Sequence, residues 1–401
     1  MRRRHFLACL ATGPAWAGDW PQFRGPGGQG HAPGEAVPLT WSESENIRWR
    51  TPIPGSGWSS PSILGDRIWL TTATDGNRSL RVLALDRHTG KILQDVEVVR
   101  ADPGKIHQKN SHASPTPVLE GNRVYVHYGA HGTAALNAAD GSVLWKKRLD
   151  YDHRHGPGNS PILYDDLLIV NCDGYDQQFI VAFDKNTGQQ VWRKTRPGYQ
   201  AYCTPLVIFA NGREQLISPG AKRSIAYDPR TGEELWWVLY GEGFSNVPRP
   251  VFANGLVFIC TGFFQPSLYA VRPDGKGDVT ATHIVWQTNR GVPLTPSPIV
   301  VGDELYMVTD QGVGSCLDTK TGKVHWRERL GGNYSASPVL AAGRLYFPNE
   351  EGETKVIAPG TKFELLATNR LEEAILASMA VVDGVIYVRT SQHLYCIAGQ
   401  A

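Results

Sequence analysis

One unit recurs eight times along this chain, and that periodicity leaves few architectures open. Each copy opens on a small-residue/proline step, continues as a short apolar strand, turns through glycine, and returns as a second apolar strand. Ser60-Pro61 through Ile68-Trp69 is the first copy and Thr116-Pro117 through Val124-Tyr125 the second. The step recurs at Ser160-Pro161, Thr204-Pro205, Arg249-Pro250, Ser297-Pro298 and Ser337-Pro338, and a degenerate last copy opens at Ser378-Met379. Strands this short, spaced this evenly and separated by turn residues specify an all-β array rather than helices.

Within each copy a third strand ends in a turn and a fourth carries a large residue. The turns read Asp86 to Gly90, Asp184 to Gly188, Asp228 to Gly232 and Asp318 to Gly322, with Thr before the glycine in each. Asp caps its own turn through its carboxylate, and Gly supplies the positive φ of a bulged hairpin. The large residues are Trp145, Trp192, Trp236, Trp286 and Trp326, with Leu93 and Leu366 in two copies. A tryptophan buries about 150–250 Å² and keeps an N–H to donate, which suits a wedge between neighbouring sheets. The last copy ends at Ala398 without a fourth strand, whereas Ile47 to Thr51, ahead of the first copy, has the form of one. The expected fold is therefore an eight-bladed β-propeller of four-stranded antiparallel blades, its ring closed by an N-terminal strand in the last blade. The boundaries that follow are a signal peptide over 1–17, an arm over 18–46 held across one face by Trp20, Phe23 and Trp41, and the propeller over 47–401.

The Ala-x-Asp-x-x-Thr-Gly turn followed by Trp, at 182–192 and 226–236, resembles the tryptophan-docking motif of the quinoprotein alcohol dehydrogenase superfamily. Within it the chain is similar to the single-domain PQQ-like propeller repeat proteins related to the outer-membrane assembly lipoprotein BamB. The resemblance covers 47–398. It implies the fold, and a motif that packs blades carries no chemistry of its own.

Arg2-Arg3-Arg4, the apolar run from Phe6 and Ala15-Trp16-Ala17 read as an export leader of the Sec or twin-arginine kind. The expected location is periplasmic or extracellular. Removing 1–17 takes away three arginines and no acid, so the formal charge moves from +2 to −1. No block of like charge marks a nucleic-acid partner, and no apolar stretch reaches the roughly 18 residues of a membrane span. Cys172, Cys203, Cys260, Cys316 and Cys396 are neither adjacent nor in CxxC pairs, which excludes a zinc knuckle or dithiol redox motif.

The loops leading into each first strand should gather around the central channel, where function on such a fold resides. They nominate Trp58, Lys109, Asn110, Arg154, Asn159, Tyr202, Asn246, Arg249 and Tyr334 as ligand-binding residues. Histidines crowd blades two and three, and His107, His112, His153 and His155 form the candidate metal set, histidine nitrogen being a common ligand for transition metals. In the quinone-binding relatives the family pattern is a planar cofactor between a Trp and a disulfide of adjacent cysteines, with Ca²⁺ beside a catalytic Asp. No adjacent cysteines exist here, so PQQ is not expected and no cofactor is assigned. No serine-elbow, HExxH or Walker motif is present. The function expected is a non-catalytic binding scaffold for a protein or cell-envelope ligand. The alternatives are a metal- or quinone-dependent oxidoreductase at the channel, and a carbohydrate binder stacking sugars on Trp58, Tyr199, Tyr202, Phe244 and Tyr334.

Overall fold

The structure, a computed structural model, describes residues 18–399 apart from 35 and 265, so the leader assigned to 1–17 lies outside the described residues. Eight antiparallel sheets stand in sequence order around the ring. The first blade is Ser62–Leu64, Arg67–Thr74, Ser79–Asp86 and Ile92–Arg100, and the next six repeat that meander. The eighth joins Ala380–Val382, Val385–Arg389 and His393–Ile397 to the distant strand Ile47–Pro52, which pairs antiparallel through Trp49↔Cys396 and Thr51↔Leu394. Ring closure follows the sequence pattern. No described helix is long and apolar enough to cross a membrane.

Neighbouring blades are locked by the repeated turn. Asp184 accepts the N–H groups of Asn186 and Thr187 at 2.9 and 2.7 Å, and Gly188 closes the hairpin at φ 69°. The indole of Trp145, from the outer strand of the preceding blade, lies on that glycine and donates to Lys185 O at 2.9 Å. Trp192, Trp286 and Trp326 donate in the same way to carbonyls of the following blade. Trp49 completes the series by donating to Arg87 O of blade one at 3.3 Å, so the closing strand pairs into one blade and docks on the next. Trp236 departs from the pattern. A two-residue strand, Gly277–Asp278, adds in parallel beside it, and its N–H turns inward to Gln215 Oε1 at 2.6 Å.

A Cβ at Gly188 would sit 2.7 Å from the Trp145 ring on top of a left-handed backbone. Gly188→Ala is expected to destabilise the full chain by about 2 kcal/mol, read as a lower urea midpoint at unchanged slope. An unshifted midpoint would show that the indole does not depend on the bare turn.

The arm crosses the ring on the side opposite the leading loops. Trp20 pairs with Ile63, Pro21 O accepts from Leu119 N at 2.8 Å, and Gly30 O and Ala32 N bond to Leu340 at 2.8 Å each. Farther on, Trp41 stacks against Tyr346 with ring centroids 6.1 Å apart. These contacts run from blades one and two to blade seven, which carries Phe23 beneath the channel.

Candidate functional site in the central channel

The small-residue/proline steps that open the blades meet at the channel. Ser60, Thr116, Ser160, Thr204, Ser297, Ser337 and Ser378 line a cavity of about 710 Å³, with Phe23 among its lining residues. Six of these hydroxyls accept a backbone N–H from the preceding blade. Ser60 N donates to Thr116 Oγ1 at 3.0 Å, Thr116 N to Ser160 Oγ at 2.9 Å, and Ser160 N to Thr204 Oγ1 at 2.8 Å. On the other side Arg249 N, Ser297 N and Ser337 N donate to Ser297, Ser337 and Ser378, each at 2.9 Å. Proline at the following position, replaced by Met379 only after Ser378, has no N–H to compete, so the hydroxyl and the residue's own amide carry the blade-to-blade chain. Only blade five lacks the hydroxyl, because Arg249 stands there.

Above this ring the wall is aromatic. Trp58, Tyr202, Phe244 and Phe263 line the cavity, as do His107 and His155, whose rings meet edge to face at 5.7 Å. Asn110 holds that pair by donating to His155 O at 2.8 Å and Pro157 O at 3.2 Å, tying the loop of blade two to that of blade three. Lys109 reaches Glu350 of blade seven at 2.8 Å, and Glu350 also accepts from Ser335 at 2.6 Å. Asp310 lines the cavity with its carboxylate taken up by the N–H groups of Leu294 and Thr295, at 2.7 and 3.3 Å.

Of the residues nominated from sequence, Trp58, Lys109, Asn110 and Tyr202 line the cavity and five do not. Arg154 lies 3.6 Å over the Tyr175 ring and pairs with Asp152. Asn159 is buried and donates to Asn171 O at 2.8 Å, and Asn246 donates to the Tyr240 hydroxyl at 3.1 Å. Tyr334 is fully buried. Arg249 is buried below the cavity, donating to Phe23 O at 2.7 Å and Pro205 O at 3.2 Å. Arg154, Asn159, Asn246 and Arg249 are thus engaged by partners outside the cavity, whereas the buried Tyr334 hydroxyl has no hydrogen-bond partner among the described residues.

The candidate metal set divides. His107 and His155 face the cavity, whereas His112 and His153 lie behind it with His127 and His131. His153 meets His131 edge to face at 5.0 Å, and its Nδ1 accepts from Ala130 N at 3.1 Å. Burial first, and then the neighbouring His131 and His112, pull the His153 pKa down to about 4. His127 donates or accepts at Thr133 Oγ1, 2.8 Å away, and burial next to His153 lowers its pKa to about 3. Among the described residues no group of three or more His, Cys, Asp or Glu side chains is placed to share a metal ion. The quinone pattern fares similarly on residues alone. The five cysteines among the described residues are separate and buried, none lines the cavity, and its one lining carboxylate is already engaged by backbone amides.

Sequence reading missed the hydroxyl ring, although its signal was present in the repeat itself. Of the aromatic cluster on the rim it named Tyr199 and Phe244, as sugar-stacking candidates, and missed Phe263 and Phe264. Phe244, Phe263 and Phe264 have centroids 5.7–6.1 Å apart and Tyr199 adds a fourth ring at 6.3 Å from Phe244. Phe263 and Phe264 remain 55% and 71% exposed, and Phe264 holds φ at 87°.

Residues 81–276 and 275–361 match a family model described as outer membrane protein assembly factor BamB. Among curated relatives, the chain is 22% identical over 349 residues to tetrathionate hydrolase of Acidithiobacillus ferrooxidans, covering 77% of this chain and 66% of that protein. It is 26% identical over 234 residues to the outer membrane protein assembly factor BamB of Burkholderia pseudomallei, covering 55% and 56%. The chain thus spans less than two thirds of the length of either. Among solved structures, quinohemoprotein alcohol dehydrogenase from Comamonas testosteroni superposes with a TM-score of 0.70 at 12% identity, over 96% of this chain and 81% of that one.

Proposed function

The chain belongs to the family described as outer membrane protein assembly factor BamB, and from that premise we propose that it is an exported, non-catalytic scaffold whose loop face grips an extended polypeptide of the cell envelope. The observation that carries this reading is the rim cluster of Tyr199, Phe244, Phe263 and Phe264. Four aromatic rings grouped in solvent, two of them more than half exposed, forgo burial that a lone surface aromatic would not. Aromatic anchors dominate binding energy at protein interfaces, most of all beside a pocket that excludes water from their rims. The rigid ring holds the cluster in place without ordering on contact, which reduces the entropic cost of docking.

A photo-crosslinking residue in place of Phe264, in the chain expressed in its own host, is expected to give a discrete polypeptide adduct. The same residue in place of Leu93, which is 44% exposed on the outer strand of blade one, serves as control. Equal adducts at both positions, or none at the rim, would refute the reading.

A further inference from the structure

We propose that the floor of the channel binds a small multivalent oxyanion of the sulfate or phosphate type. This site is separate from the aromatic rim and does not depend on what docks there. Its first element is a surplus of donors. Six ring hydroxyls have their oxygens fixed by accepting a backbone N–H, and no described residue accepts their protons. Ser60 has no hydrogen-bond partner for its hydroxyl at all among the described residues, and it too borders the cavity. A hydroxyl carries one proton and two lone pairs, so oxygens held in this way present O–H groups to whatever fills the channel. Donors converging from several blades call for a solute rich in acceptor oxygens.

The second element is charge. Arg249 occupies the one blade position without a hydroxyl, and its guanidinium donates to the carbonyls of Pro205 and Phe23 and to no carboxylate. Behind it Arg24 is buried, donates to Gln29 O at 3.0 Å, and leaves Nε and Nη1 unpartnered. Burial, and for Arg24 also the neighbouring Arg249, lower these pKa values to about 9 and about 10, which still leaves both cations at neutral pH. The one carboxylate among the lining residues, Asp310, is taken up by the backbone amides of Leu294 and Thr295, and Glu350, which does not line the cavity, is held by Lys109 and Ser335. Neither guanidinium lines the cavity, so what they add is a positive field from beneath its floor rather than a direct contact. Charge-assisted bonds from several hydroxyls favour a dianionic oxyanion over chloride.

The test is equilibrium dialysis of the full chain with labelled sulfate and with labelled phosphate, ionic strength held constant by sodium chloride. Saturable binding of at least one ion at one site per chain is expected. Ser60→Ala removes a donor without releasing any backbone N–H, and it is expected to weaken binding threefold or more. The triple variant Ser160→Ala, Ser297→Ala and Ser337→Ala is expected to weaken it tenfold or more. Should the triple variant fail to fold, Ser60→Ala decides. No saturable binding above the chloride background, or an affinity that changes by less than twofold in the folded variants, overturns the proposal.

Discussion

Loss of the strand Ile47–Pro52 is expected to lower stability more than loss of any comparable surface strand. That segment has two tasks. Its backbone supplies the outer ladder of blade eight from Ile47↔Ile397 to Pro52↔His393, and its Trp49 covers Gly90 of blade one. Without it, blade eight exposes the edge of His393–Ile397 and the seam between blades eight and one loses its wedge. Trp49→Ala alone should cost about 3 kcal/mol, at the low end for a Trp truncation because the ring is only partly buried. A chain beginning at Ile53, which loses the arm's contacts to Ile63, Leu119 and Leu340 as well, should go further and unfold in more than one transition, since the ring is then open at blade eight and unbraced across its face. Urea unfolding followed by tryptophan fluorescence and by circular dichroism measures both. Coincident single transitions at the wild-type midpoint for either variant would mean that the ring closes by other contacts.

The second large effect expected is a loss of stability in mild acid, traced to His127 and His153. Both rings are held neutral in the fold, with pKa values near 3 and 4 against 6.5 in an unfolded chain. Between those limits the unfolded state takes up a proton that the native ring refuses. Stability therefore falls as pH drops below about 6.5, and the His127 contribution levels off only near pH 3. At about 1.4 kcal/mol per pH unit, the move to pH 5 costs about 2 kcal/mol through His127 and a similar amount through His153. His127→Gln, which keeps a hydrogen-bonding group near Thr133 Oγ1, should remove about 2 kcal/mol of the difference between pH 7 and pH 5. Parallel urea midpoints for wild type and variant across that interval would contradict the assignment.

These two features were not equally visible in the chain. The blade count, the docking tryptophans and the borrowed strand all rest on repetition, and repetition survives in sequence because each copy must make the same contact. Trp145 on Gly188 and Trp192 on Gly232 are one interaction made twice. Loop side chains have no such constraint. Trp58, Lys109, Asn110 and Tyr202 do face the channel, but Asn159 and Asn246, one and three residues ahead of the same kind of step, turn to interior partners instead. Which way a loop asparagine points is decided by acceptors nearby, such as Asn171 O, which the second strand of the same blade brings within reach only once the hairpin has formed. The hydroxyl ring shows the opposite case. Its residues were conspicuous as openings of strands, yet their shared role depends on the closed circle and is invisible in any single copy. The same applies to the rim cluster, where Tyr199 and Phe264 are far apart in sequence and adjoin only through Phe244.

The arm carries Phe23 to the base of the channel, between contacts to Ile63 on one side and Leu340 on the other, and Phe244 and Phe263 stand among the residues that line the same cavity. A guest seated on the rim rings would slow the exchange of anything already inside while leaving its affinity unchanged, because reciprocity binds equilibria and not rates. Order of arrival would then show in the kinetics alone.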